Sequence, residues 1–256
     1  MITAGIDIGH QSVNTVILDE ETIINHTTVI IAGEVEAAAR VAWEKSLAES
    51  GLQQDQINRL FATGVGREKV TFADGHKTEM LAHVQGAFRL FPGTRTVINV
   101  GAEGSRILKC DDRGNLTNFI MNDKCASGAG VFLETVSEMM QVSLSDMGPL
   151  SLKHTQKVPL TTTCAVFAES EIVAEIHKGT SIENILWGVH ESIASKIFTG
   201  SKRAGIEPEL VFTGGVAQNS GVVEAFKNQA GMEINVPDNP ELVGALGAAI
   251  LARNSK

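Results

Sequence analysis

Cysteine is scarce in this chain: there are three in 256 residues, and none stands in a CxxC pair. So few thiols, and an odd number of them, exclude a disulfide framework and leave metal binding, catalysis or burial as their roles. Basic charge is also short. Lys and Arg total 21 against 30 Asp and Glu, a net charge of −9. No basic run with interleaved aromatics compensates, which argues against nucleic acid, because neutralising phosphates needs a basic face. Long hydrophobic runs are missing, with no segment near the roughly 18 apolar residues that span a bilayer. The start, MITAGIDIGH, carries no charged stretch followed by an apolar core of the secretory kind. A cytoplasmic protein with neither nucleic acid nor membrane as partner is expected. Low-complexity segments and long Pro, Gly or Ser linkers are absent as well.

What is present is 43% hydrophobic content, enough to bury a substantial core. Strand and helix signals alternate, which predicts an α/β fold. Residues 4–8, 15–18 and 27–32 are β-rich, residues 35–50 carry apolar positions at helical spacing with Gly51 as a stop, and residues 57–63 open another strand. From Thr96 the order starts again. IDIGHQSVNTVILDEETIINHTT, from Ile6, and INVGAEGSRILKCDDRGNLTNFI, from Ile98, share an apolar strand ending in Gly, a short turn, a second β-rich run and an acidic turn. The pattern fits an internal duplication, and it also fits two unrelated hairpins.

A duplication of this kind has a physical use. Glycine in a β-turn-β unit lets the backbone approach a phosphate, and the turn amides donate to its oxygens. The turns at Gly9, His10, Gln11 and Ser12 and at Gly101, Ala102 and Glu103 are therefore candidate phosphate sites. Asp7, at the end of the first strand, is placed for Mg²⁺ through water. LVFTGGVAQN, residues 210–219, runs a strand into Gly214 and Gly215 and then an expected helix start, a setting suited to adenosine or its α-phosphate. Its candidate contacts are Gly214, Gly215, Val216, Gln218 and Asn219. The small residues of GALGAA, 244–249, suit a helix packed closely on a neighbour.

Two of the three cysteines have matching surroundings. Cys125 in MNDKCASGAG and Cys164 in TTTCAVFAES each precede a stretch with helical periodicity, with 38 residues between them. A thiolate at a helix start is stabilised by the dipole and by free amides, while a lone cysteine is otherwise a small buried hydrophobe. Cys110, in KCDDRG, reads as a buried or idle thiol. Glu79 and His83 lie four apart and so share a helix face, a geometry that suits a metal or a hydrogen bond, with a structural or interlobe role the expected one.

GIDIG (5–9), ATGVGR (62–67), NDKCASGAGVFLE (122–134), CAVFAESEIV (164–173), IHKGT (176–180) and TGGVAQN (213–219) occur in order over nearly the whole chain. Together they resemble the activators of 2-hydroxyacyl-CoA dehydratases and the ATP-binding subunits of benzoyl-CoA reductases. That family lies within the acetate kinase, sugar kinase, Hsp70 and actin superfamily. The resemblance implies two RNase H-like lobes clasping ATP: residues 1–95, with 241–256 packing back on them, and residues 96–240, which carry the cysteines. It implies a 4Fe-4S cluster shared across a dimer, here held by Cys125 and Cys164 of each subunit. The dimer is a homodimer or a pair with a similar subunit, ADP and Mg²⁺ accompany ATP, and a ferredoxin or flavodoxin is the electron source. ATP hydrolysis then drives one low-potential electron into a CoA-ester dehydratase or reductase.

The chain departs from the activator pattern in both hairpins. Asn14 stands where Lys is usual, and NVGAEG, 99–104, stands where DIGGQD is usual. The second departure resembles the reductase subunits and bears on hydrolysis more than on nucleotide binding. Asp7 and Glu103 are the candidate catalytic groups, one of them orienting the attacking water. Two other functions stay open: a small-molecule kinase of the same superfamily with buried cysteines, and a nucleotide-binding regulatory subunit impaired in hydrolysis.

Overall fold

The computed structural model describes residues 1–122, 130–160 and 165–255. The motif cysteines Cys125 and Cys164 lie outside them. The N-terminal half builds a five-stranded sheet from β1 (Ile2–Ile8), β2 (Ser12–Asp19), β3 (Thr22–Ile30), β4 (Arg59–Gly64) and β5 (Gly75–His76), in the order β3-β2-β1-β4-β5. β1 pairs antiparallel with β2 and parallel with β4. β1 is buried on both faces, so it shows no polar alternation and reads as a continuous apolar run broken only at Thr3 and Asp7. Helix α1 (Val35–Ser50) lays Ala38, Ala39, Ala42 and Trp43 on one face of this sheet. It stops at Gly51, whose left-handed φ of 71° lets its N–H close on the carbonyl of Ala48.

The third strand differs from the expected 27–32: it begins at Thr22 and ends at Ile30. A tight turn at Glu20, with φ 51°, reverses the chain early. β3 is an edge strand whose first residues, Thr22 to Ile24, are exposed. Burial therefore imposes no pattern on the residues that open it.

The second half repeats the first. β6 (Thr96–Val100), β7 (Ser105–Cys110), β8 (Leu116–Asn122), β9 (Leu210–Thr213) and β10 (Ile234–Asn235) form a sheet in the order β8-β7-β6-β9-β10. The antiparallel and parallel pairings recur strand for strand. Even the bulge recurs, between Ile17 and Leu18 in one sheet and between Lys109 and Cys110 in the other. The duplication expected from the two hairpins is thus present in topology. Ile98, Val100, Ile107 and Phe212 of this sheet are buried against Ile193, Ala194 and Ile197 of the long helix α6 (Ile182–Ala204) and against Phe226 of α7 (Ser220–Ala230). Burying each such side chain contributes about 1.5–3 kcal/mol. Shorter helices α3 (Gly130–Met140), α4 (Leu144–Ser151) and α5 (Ala165–His177) complete this half.

Two helices lie between the sheets. α8 (Val243–Asn254) packs Ala245, Leu246 and Ala249 on Val16 and Leu18 of the first sheet. α2 (Glu79–Leu90) packs Val84 and Ala87 on Val97, Leu108 and Val211 of the second. Glycine lets α2 and α8 touch: a Cβ on Gly247 would stand 1.7 Å from the Ala82 carbonyl oxygen, and one on Gly86 would stand 2.2 Å from that of Val243. The small-residue run at 244–249 is the close helix contact its composition predicts. Among the described residues no helix is long and apolar enough to cross a membrane.

Candidate functional site

The two hairpins turn toward one cleft, and their turns are built alike. Gly9 N–H donates to the Ser12 carbonyl at 2.9 Å, and Gly101 N–H donates to the Gly104 carbonyl at 2.9 Å. Two further glycines occupy matching places at the ends of β4 and β9. Gly64 (φ 86°) and Gly214 (φ 89°) each hold a left-handed backbone. A Cβ on them would fall 2.3 Å from the Ile8 carbonyl oxygen and 2.4 Å from that of Val100. Bulk at either point would close the cleft floor.

Asp7, Gly9, His10, Gln11 and Ser12 line a cavity of about 120 Å³ together with Gly101, Ala102, Glu103, Gly214 and Gly215. It opens into one of about 590 Å³ lined by Val216, Gln218, Asn219 and residues of α3 and α4, with Gln11, Gly101, Ala102 and Gly215 common to both. Every site residue singled out in the sequence, the two cysteines aside, therefore borders one continuous cleft. Among the described residues two side-chain contacts cross it. His10 Nε2 lies 3.2 Å from Glu103 Oε2, and Gln11 Nε2 donates to Glu134 Oε2 of α3 at 2.7 Å.

The floor of the cleft is a buried polar layer at the registered ends of the central strands. Asp7 sits beside Asn14 and Thr63, and Asn99 beside Arg106 and Thr213, the second trio repeating the first. Asp7 is 8% exposed, and burial pushes its carboxyl up to about 7, with Glu79 pushing the same way and Arg106 opposing. Glu79 Oε2 meets Arg106 Nε at 3.1 Å. His83, which shares its helix face with Glu79, turns instead to the second sheet. Burial first, then the Arg106 charge, hold it down to about 3, so it is neutral, and its 3.9 Å approach to Asp7 is not an ion pair. Asn99 Nδ2 donates to His83 Nε2 at 3.1 Å, and His83 Nδ1 lies 3.3 Å from Thr213 Oγ1. Asn99 Oδ1 is left as a buried acceptor without a partner among the described residues.

At the wider end, the strand β9 does not run straight into a helix. A short 3-10 turn, Gly215–Gln218, intervenes and α7 starts at Ser220. Asn219 caps that helix, its Oδ1 accepting from Gly221 N–H at 3.0 Å and Val222 N–H at 3.1 Å. An Asn cap outcompetes the expected start at Gly-Gly because glycine offers no side-chain acceptor.

Arg106 and the α4 wall of Leu144 and Ser145 belong to no motif of the sequence, and no motif pairs Gln11 with Glu134. For Arg106 a signal was available, a charge within the apolar strand SRILKC. For the α4 wall there was none. Cys110 is buried, donates from Sγ to the Thr94 carbonyl at 3.3 Å, and is pushed up by burial to about 11, in keeping with an idle thiol. Among the described residues no three His, Cys, Asp or Glu side chains converge as a metal-binding group.

The chain is similar over nearly its whole length to proteins of known role. The chain is 39% identical over 253 residues to the 2-hydroxyisocaproyl-CoA dehydratase activator of Clostridioides difficile, covering 98% of this chain and 95% of that one. It is 36% identical over 252 residues to the (R)-2-hydroxyglutaryl-CoA dehydratase activating ATPase of Acidaminococcus fermentans, covering 98% and 96%. The solved structure of the activator of the 2-hydroxyisocaproyl-CoA dehydratase from Clostridium difficile, with ADPNP bound, superposes with a TM-score of 0.95 at 38% identity, over 98% of this chain and 94% of that one. A family model matches residues 4–252, and the chain belongs to the BadF/BadG/BcrA/BcrD ATPase family.

Proposed function

We propose that this protein is an ATP-dependent iron-sulfur electron donor to an enzyme acting on CoA esters, of the dehydratase-activator kind. The observation that carries the reading is the pair of matched glycine turns at Gly9 and Gly101, which open on one cleft with Asp7 at its floor. Backbone amides of such turns suit the β- and γ-phosphates, and the turn from Gly214 to Asn219 suits the nucleoside. Asp7 and Asn99 Oδ1, which has no partner among the described residues, are hard oxygen groups, the chemistry that Mg²⁺ accepts through its water shell. Glu103, exposed at the lip of the second turn, is the group to orient water.

In this reading Cys125 and Cys164 of each subunit complete one 4Fe-4S site across a homodimer or a pair with a similar subunit. The cluster, when bound, supplies a single low-potential electron, received from a ferredoxin or flavodoxin. Residues 1–95 with 241–256 and residues 96–240 act as two lobes. Gln11 and His10 belong to the turn of the first whose backbone meets the phosphates, and their side chains touch Glu134 and Glu103 of the second. Glu134 stands on α3, nine residues beyond Cys125, which offers a path from nucleotide to cluster.

Purification without oxygen, followed by iron content, visible spectrum and ATPase rate for the wild type, Cys125→Ser and Cys164→Ser, tests the reading. Iron and colour present in the wild type and lost in both variants are expected. A colourless, iron-free protein with sugar-dependent ATP use would overturn it in favour of a kinase. One specific observation favours a second reading, a nucleotide-binding subunit without hydrolysis: at the position that matches Asp7 the second half has the uncharged Asn99. Nucleotide binding with no phosphate release would select it.

A further inference from the structure

Asn219 belongs to the nucleoside end of the cleft, and its amide orientation is set by residues well behind it. Its Oδ1 is occupied as the cap of α7, so Nδ2 faces His190 Nε2 at 3.2 Å. His190 is fully buried in α6, and its Nδ1 lies 2.9 Å from Ser151 Oγ, the last residue of α4. The Ser151 hydroxyl donates to the Gly148 carbonyl at 2.8 Å. Each step fixes the next: with the Ser151 hydrogen given to Gly148, Oγ must accept, so His190 carries its hydrogen on Nδ1 and offers Nε2 as acceptor. The ring presses against the first turn of α7, where a Cβ on Gly221 would stand 2.2 Å from His190 Nδ1 and 2.3 Å from Ser151 Oγ.

We infer that His190 is a positioning residue for nucleotide binding: as the neutral Nδ1–H tautomer it holds Asn219 so that the second Nδ2 hydrogen is presented at the nucleoside end of the cleft. That second hydrogen has no partner among the described residues, and Asn219 lines the cleft beside Leu144 and Ser145 of α4. The chain from Asn219 through His190 to Ser151 also ties the α7 wall of the cleft to its α4 wall. Burial holds His190 down to about 3, so the acceptor on Nε2 persists at neutral pH. An identical sequence of donors occurs at the other end of the cleft, from Asn99 through His83 to Thr213 and the Ile98 carbonyl. The inference rests on the nucleotide reading of the cleft and is independent of electron transfer.

Two substitutions separate the ring's two nitrogens. His190→Gln keeps an acceptor near the Nε2 position, and His190→Asn keeps an amide that can donate near Nδ1 but places nothing at Nε2. Losing a buried hydrogen-bond partner weakens an interaction by about ten-fold or more, so His190→Asn should raise the KM for ATP by about that factor with kcat little changed. His190→Gln should stay within about three-fold of wild type, and Asn219→Ala combined with His190→Asn should be no worse than Asn219→Ala alone. Nitrogen NMR of the wild type should show His190 protonated on Nδ1 and bare on Nε2. This measurement decides the matter even where a variant does not fold, since an Nε2–H tautomer overturns the inference. So do equal KM values for wild type and both variants, or losses at 190 and 219 that add. A wild type that binds no ATP overturns the nucleotide reading and this inference together. One that binds ATP but holds no iron overturns only the electron-donor reading.

Discussion

His10 Nε2 lies 3.2 Å from Glu103 Oε2, so the turn of one hairpin grips the turn of its duplicate across the cleft. With Glu103 60% exposed, the pair contributes at most about 1 kcal/mol to stability, and its interest lies in position rather than strength. Glu103→Gln is expected to keep the melting temperature and the ADP affinity while lowering the rate of phosphate release by about a hundred-fold or more, the low end of a lost general base. His10→Ala should leave that rate within about three-fold, as a lost surface pair does. Steady-state phosphate release and ADP titration check both, and equal losses in the two variants would assign the effect to the contact instead of the carboxylate.

Asp7→Asn is expected to raise stability and abolish hydrolysis at once. Burial lifts the Asp7 carboxyl from its ordinary 3.8 to about 7. The folded protein therefore binds a proton that the unfolded chain does not between those values, and above pH 7 the buried charge is a penalty. Removing it should stabilise the nucleotide-free protein by a few kcal/mol at pH 8, an advantage that shrinks as pH falls toward 4. Denaturant unfolding across that range measures it. A variant less stable than wild type at pH 8 would mean that Asp7 is held by interactions stronger than its desolvation.

His83 and His190 are both held down to about 3 by burial. Their effect on stability has the opposite sign. The unfolded chain takes up protons near pH 6.5 while the folded protein does not, so each histidine withdraws stability as pH falls from about 6.5 toward 3, amounting to about 1.4 kcal/mol at pH 5.5. Between pH 7.5 and 5.5, His190→Gln should therefore lose about 1.4 kcal/mol less than wild type. Urea midpoints at the two pH values test this, and parallel losses would place no titration at His190.

Gly247→Ala and Gly179→Ala make a matched pair. A Cβ at 247 would stand 1.7 Å from the Ala82 carbonyl oxygen, which belongs to a helix backbone and cannot move aside, whereas Gly179, at φ 78°, has nothing within 4 Å. The first should cost about 3 kcal/mol or more through overpacking of α2 on α8, the second about 1 kcal/mol through backbone strain alone. Thermal melts separate them, and equal shifts would show that the helix pair yields.

Much of the architecture was legible because its causes are local. The stop of α1 at Gly51, the small-residue face of α8 and the doubling of the hairpins are each written in a few consecutive residues. The early start of β3 at Thr22 is not legible, because an edge strand with exposed residues carries no burial pattern. The start of α7 was placed early because the glycines of residues 214–215 read as a helix opening, while the cap that sets the boundary is the side chain of Asn219.

The sequence by itself determined the α/β class, the two glycine-ended hairpins and the turn residues that border the cleft, since turn chemistry and strand periodicity depend on neighbours along the chain. Only the tertiary structure decided how those residues address one another. Arg106 meets Glu79, His83 turns to Asn99 and Thr213 instead of its helix neighbour, and His190 reaches Asn219 and Ser151, 29 and 39 residues away. The contacts of Arg106 and His83 arise where two sheets and the α2–α8 layer converge, those of His190 where α4, α6 and α7 pack together, and burial at these places sets the protonation of Asp7, His83 and His190. Burial depends on what packs from every side, which no stretch of sequence records.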